Sequence, residues 1–310
     1  MSARKSRETV TGFAAAGAVV LLWSGFIALS RLGAKTSFGP YDLMALRFAA
    51  AGVVMLPVLA LRGFGGLSLG RIALLAGTAG LGFGLLAFSG FARAPATHAA
   101  VLLPGVLPLF TAVLARSLIG ETLTPRRLLG LALIVLGVGI VARESVFTPE
   151  APDAQWIGDL CFLGASLSWA VFTIALRAWR VDPVQATAVV VVPTALVYLP
   201  AYVLMPGRRL WTAPLSEIAF HAVFQGVFST ILSTLAYVRA VRALGAARTA
   251  IATSLAPVAG ALLAIPVAGE VPSGPNALGL LLVTFGMLVG ASAPAGAAAP
   301  VARPSEPGRD

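Results

Sequence analysis

The stretches PLFTAVLARSLIGE, from Pro108 to Glu121, and PVAGALLAIPVAGE, from Pro257 to Glu270, decide the fold. Each runs from a proline to a Gly-Glu pair over the same spacing, so one shift of 149 residues superposes them. That shift also carries Gly77 onto Gly226, Gly130 onto Gly279 and Gly137 onto Gly286. Upstream, Trp23-Ser24-Gly25-Phe26 pairs with Trp169-Ala170-Val171-Phe172 at a shift of 146. A register shared over nearly half the chain is an internal repeat, and a repeat constrains the architecture before any single element is assigned.

The solvent around these stretches is lipid. Of 310 residues 58% are hydrophobic and 11% charged, with a mean hydropathy of +0.92, far too little polar surface for a water-soluble domain. Ten windows are long and apolar enough to cross a bilayer: 11–33, 41–61, 71–91, 94–115, 126–142, 157–176, 183–205, 217–238, 249–268 and 275–292. The expected organisation is a cytoplasmic N-terminus 1–10, a first five-helix repeat 11–142, a periplasmic linker 143–156, a second repeat 157–292 and a disordered cytoplasmic tail 293–310, rich in Ala and Pro. The first apolar run is too long for a signal h-region and lacks a clear cleavage site, so it counts as a span.

With the N-terminus inside, fifteen basic residues fall on the inner side and six on the outer, and Arg47 lies within a span. This bias places both termini in the cytoplasm, and the expected location is a bacterial inner membrane. Five spans per repeat is an odd number, so the second repeat must enter the membrane opposite to the first. The fold class is therefore an all-α membrane protein of ten helices in two inverted five-helix repeats. Such architectures hold a substrate at the repeat interface near the midplane.

The doubled segment, with its Gly120-Glu121 and Gly130 pattern repeated at Gly269-Glu270 and Gly279, resembles the EamA repeat of the drug/metabolite transporter superfamily. The early Trp23 and the Arg47-Phe48 pair are similar to that family's pattern as well, and the resemblance covers roughly residues 12–290. It implies a metabolite exporter, often of amino acids or related compounds; the substrate itself does not carry over from the motif.

Several residues are candidates for substrate contact. Pro104 and Pro257 are placed to break the fourth and ninth spans near the midplane, freeing carbonyls such as Ala100 and Thr253, or else to make simple packing kinks. Gln225, Ser229, Ser233 and Tyr237 recur every four residues in the eighth span, a polar stripe that lines a cavity or bonds to a neighbouring helix. The repeat-equivalent positions, Ala76, Gly80, Gly84 and Phe88, are smooth. Trp23 and Trp169 sit at matching depths and suit ring stacking, cation–π contact or core packing. Arg47 either attracts a substrate carboxylate or snorkels toward Asp42 or Glu270, the latter preferred. His98 lies near the outer end of the fourth span, where solvation is the simpler expectation. Glu121 and Glu270 are read as helix-end hydrogen-bonding groups.

Other classes fit less well. The net charge of +10 is dispersed between apolar runs, with no basic stripe beside aromatic platforms, so no nucleic acid is expected. Cys161 is the sole cysteine, the only histidines are His98 and His221, and no metal-ligand spacing or cofactor motif is present. An intramembrane enzyme lacks a nucleophile–base pair, since Gly164-Ala165-Ser166-Leu167-Ser168 misses the last Gly of a GxSxG elbow, and a channel lacks a filter or charged ring. The expected partners are a small-molecule substrate and membrane lipids. No carboxylate reaches the midplane, so transport is expected to follow the substrate gradient without obligatory proton coupling.

Overall fold

The computed structural model describes residues 2–36, 38–147 and 154–292. The expected tail 293–310, residues 148–153 of the expected linker 143–156, and Met1 lie outside the described residues. Backbone polar groups have no partner in hydrocarbon, so an apolar chain closes its hydrogen bonds internally as helix. Among the described residues ten helical stretches have the length and composition of spans: Glu8–Lys35, Pro40–Arg62, Leu69–Arg93, Ala96–Leu118, Pro125–Phe147, Gln155–Trp179, Pro183–Leu204, Leu215–Leu244, Ala246–Ala268 and Gly274–Ala291. The first belongs to a helix that begins at Ser2, within the expected N-terminal segment.

Local signals set the ends. Asp182 caps the seventh span by accepting from the Val184 and Gln185 amides at 3.1 Å, and Ser273 caps the tenth through Asn276 N at 3.2 Å. Gly120 and Gly269, at φ 70° and 68°, end the fourth and ninth spans in the left-handed conformation that a side chain disfavours. The fifth and eighth spans overrun their expected C-terminal ends furthest. The fifth continues to Phe147 because Glu144 and Ser145 find polar partners on other helices. The eighth continues to Leu244 as an amphipathic end, with Arg239 donating to Thr11 Oγ1 at 3.3 Å.

The packing has the two-fold character that inverted repeats require. The first span lies against the eighth and ninth, and the sixth correspondingly against the third and fourth, while the second packs on the seventh and the fifth on the tenth. Glycines make the last contact close. A Cβ on Gly137 would lie 2.6 Å from Gly279 O, and one on Gly286 would lie 2.6 Å from Gly130 O. Gly130 and Gly279 are repeat mates, as are Gly137 and Gly286, so exchanging the repeats turns one of these contacts into the other, as across a two-fold axis.

Four helices depart from regular α geometry, in two repeat-related pairs. The third and eighth spans widen into π-helical turns over Ala76–Gly82 and Ala222–Leu232, and the 149-residue shift carries the first segment inside the second. The fourth span is broken into Ala96–Ala100, wide turns at Val101–Gly105 and Leu107–Ile119, and the ninth into Ala246–Thr253 and Ala256–Ala268. Wide turns and breaks of this sort gather where a helix does something besides span.

Candidate functional site

Arg47 sits on the second span, roughly 10 Å along the axis from Pro40 by helical rise. Its preferred reading as an outward snorkel is corrected by the structure. The residue is 6% exposed, and Nη1 donates to Ser229 Oγ at 3.3 Å on the eighth span. The guanidinium lies over the rings of Phe26, 5.1 Å from the centroid, and Phe83, 5.9 Å away. The two carboxylates proposed for it are engaged elsewhere: Asp42 with Tyr202, and Glu270 with Arg31 and Lys35. Among the described residues no ion pair includes Arg47. A cation taken out of water without a counter-ion is costly by several kcal/mol, and two cation–π contacts offset that only in part.

Phe26 and Phe83 begin an aromatic wall. Phe83 packs on Trp169 at 5.0 Å between ring centroids, Trp169 on Phe172 at 5.2 Å, and Phe26 on Phe91 at 5.5 Å. Trp169 of the second repeat thus joins the neighbourhood of Arg47. Trp23 does not: its ring stacks on Tyr237 at 6.1 Å, so the two matched tryptophans have different company.

The polar stripe of the eighth span faces the first and second spans. Gln225 is fully buried, and its Nε2 donates to the buried Ser30 Oγ at 2.9 Å, while Oε1 has no partner. Ser233 bonds back to Ser229 O at 2.5 Å and Thr230 to Gln225 O at 2.8 Å, so these hydroxyls satisfy their own widened helix. One turn before Gln225, His221 packs edge-on against Phe38 at 5.1 Å with Nδ1 unpartnered. Phe38 in turn lines a pocket of about 300 Å³ at the Lys35 end, with Tyr41, Asp42, Ala92, Arg208 and Arg209. Sequence reasoning missed this pocket and the Phe26–Phe83 pair.

The broken helices are held across the repeats. Ser166 of the sixth span donates to Leu103 O at 2.9 Å, and Ser24 of the first to Ala256 O at 3.4 Å. Each acceptor is the carbonyl just before a proline, Pro104 or Pro257, rather than the carbonyl four residues back. Pro257 itself opens the second segment of its span, a first-turn position where its missing N–H costs nothing.

His98 is another correction, because it is not solvated. Fully buried, it faces Asp159 Oδ1 through Nδ1 at 2.9 Å and Asn276 Nδ2 through Nε2 at 3.1 Å. Ser145 bonds to Asp159 and takes a bond from Gln155 Nε2 at 3.0 Å, and Asn276 reaches Glu144 at 3.2 Å. The fourth, fifth, sixth and tenth spans are tied by this network. All its members but Glu144 are buried, so replacing His98 by Ala takes one of Asp159's two side-chain partners and is expected to cost about 3 kcal/mol. For a chain of this size that is roughly a 6 °C fall in the midpoint of thermal unfolding in detergent; an unchanged midpoint would deny the network a structural role.

The Gly-Glu turns form mirror-related ion pairs at opposite ends. Glu270 meets Arg31 at 2.7 Å and Lys35 at 3.3 Å, and accepts from Ala96 N at 2.7 Å. Glu121 meets Arg127 at 2.5 Å and Arg177 at 3.2 Å. Burial alone would raise both carboxyls, but these donors and positive charges outweigh it and hold each below the ordinary glutamate range.

Comparison with known proteins bears on the family and the fold. A model described as the EamA-like transporter family matches residues 10–143 and 156–290. The Aromatic amino acid exporter YddG of Ancylobacter novellus is 30% identical over 300 residues, 92% of this chain and 97% of that protein. The Uncharacterized inner membrane transporter YedA of Escherichia coli strain K12 is 28% identical over 91% of both chains. The Uncharacterized transporter YyaM of Bacillus subtilis is 25% identical over 81% of this chain and 84% of its own length. A solved crystal structure superposes with a TM-score of 0.59 at 25% identity, covering 92% of this chain and 96% of its own.

Proposed function

The chain belongs to the EamA-like transporter family, a family of membrane carriers and not of enzymes, and on that premise we propose that it exports amino acids, aromatic ones among them, by alternating access. The carrying observation is Arg47: a buried cation beside an aromatic wall, with no carboxylate of its own. A substrate carboxylate supplies the missing counter-ion, and an aromatic side chain finds Phe83 and Trp169 within reach. The relative from Ancylobacter novellus, an aromatic amino acid exporter by name, supports the same substrate class. Departure follows the stripe past Gln225 and His221 to the pocket at the Lys35 end.

The proposed location is the bacterial inner membrane, as the YedA relative suggests, with both termini cytoplasmic on the basic-residue bias. The Lys35 end is then periplasmic. Impermeant thiol reagent added to intact cells should label a cysteine placed at 150 and spare one placed at 305; the reverse pattern inverts the assignment.

Counterflow of labelled phenylalanine into proteoliposomes tests the function. Expected are saturation, competition by carboxylate-bearing aromatics and none by phenethylamine, which lacks the carboxylate. Uptake should be indifferent to an imposed pH gradient, since no carboxylate is expected at the midplane to carry a proton. Equal competition by phenethylamine, or the absence of saturable flux, would refute the reading.

A further inference from the structure

The unpartnered oxygen of Gln225 has no account in packing. The side chain is fully buried, its amide nitrogen is fixed by Ser30, and Oε1 meets no donor. Orphaned buried acceptors are rare in folded proteins because each forfeits its hydration. The second observation is where it sits. Gln225 lies one turn before Ser229, which holds Arg47, and Ser30 lies one turn beyond Phe26, over which the Arg47 guanidinium rests. Arg47 and Gln225 therefore occupy adjacent layers between the first, second and eighth spans, about 5 Å apart along the axis by helical pitch.

We infer that Gln225 Oε1 is the acceptor for the substrate's α-ammonium group and so decides selection of the zwitterion over plain carboxylates. The inference rests on the proposed amino-acid function and adds a second pole to its site. An α-amino acid carries its two charged groups on neighbouring carbons. With the carboxylate on Arg47, the ammonium has one layer to cross before it meets an acceptor. With Nε2 at the Ser30 hydroxyl, the amide oxygen is the end left over. A neutral acceptor suits this position, because a carboxylate there would pair with Arg47 and close the site. The repeat mate of Gln225 is Ala76, which has no polar group, so only one of the two related positions can read the ammonium. Sites built to bond a substrate group discriminate strongly against analogues that lack it, since their own polar atoms are then left unpaired.

The test compares phenylalanine with 3-phenylpropionate, which lacks the ammonium and has no donor in its place, in proteoliposomes of the full chain. Wild type should favour phenylalanine at least tenfold. Gln225→Leu should bring the ratio near one by losing phenylalanine flux while keeping phenylpropionate flux, and Gln225→Glu should lose both through pairing with Arg47. A wild type that takes both equally overturns the inference without any variant. So does a Gln225→Leu protein that keeps the tenfold preference, or one that loses both fluxes in equal proportion. In those cases saturable phenylalanine transport by wild type leaves the proposed function standing. Absence of that transport removes the function and the inference together.

Discussion

Replacement of Arg47 by Leu is expected to abolish saturable amino-acid flux while folded yield is kept or improved. The two halves of that expectation have one cause. An unpaired buried guanidinium destabilises the empty carrier, so exchanging it for a shorter apolar side chain among Phe26, Phe83 and Ser229 removes that cost and is neutral or favourable for folding. The same substitution removes a desolvated, charge-assisted contact to the substrate, worth about 3–5 kcal/mol, or a factor of about 150 or more in apparent affinity. Arg47→Lys should recover little, because an ammonium neither lies flat against two rings nor forks around a carboxylate. Flux and thermal unfolding measured on one preparation separate the roles. Lost stability with retained flux would make Arg47 a structural residue and remove the basis of the proposed function.

The architecture was legible because it is written in quantities that lipid makes decisive. Apolar length gives ten spans, and an odd number per repeat forces the inversion. Even the contact between the fifth and tenth spans was latent in the shift that pairs Gly130 with Gly279 and Gly137 with Gly286. The site was legible by residue type and not by partner. The intramembrane Arg47 and the stripe from Gln225 to Tyr237 were visible, yet nothing in one sequence says that Arg47 meets Ser229 rather than Asp42. That choice depends on helix rotation, which packing sets. His98 was misplaced because depth was judged from its own span. Its burial comes from Asp159, Ser145 and Asn276 on three others. The π-helical turns had no sequence signal beyond the paired Gly77 and Gly226, which carry many other readings.

Neutralising Glu270 is expected to open the Lys35 end of the carrier, and the internal symmetry says why. Arg31 and Arg177 are mates at the 146-residue shift and Glu121 and Glu270 at 149, so Arg31–Glu270 and Arg177–Glu121 are one contact made twice, at opposite ends, each joining the two repeats. They are not equal. Side chains of the first pair are 13% and 14% exposed, and Arg31 also donates to Phe91 O at 2.6 Å; Arg177 is 54% exposed. Removing one partner of the enclosed pair should cost about 3 kcal/mol, whereas the half-exposed contact is worth about 1 kcal/mol at most. A cycle of Arg31→Gln, Glu270→Gln and the double variant should accordingly show coupling of more than about 1 kcal/mol in thermal unfolding, exceeding that of the mirror pair. The pH dependence has a definite sign. Glu270 is held below its ordinary range, so its contribution is present in full above about pH 4.3 and is lost as pH falls through the lowered value. Opening is read with Ser30→Cys in a Cys161→Ser background, since Ser30 is fully buried while the Lys35 end is shut. Glu270→Gln should raise the rate of labelling by an impermeant reagent at least tenfold, and Glu121→Gln should leave it unchanged or lower it. Equal effects of the two variants would mean that the pairs only brace the fold and that neither end is held closed by its Gly-Glu turn.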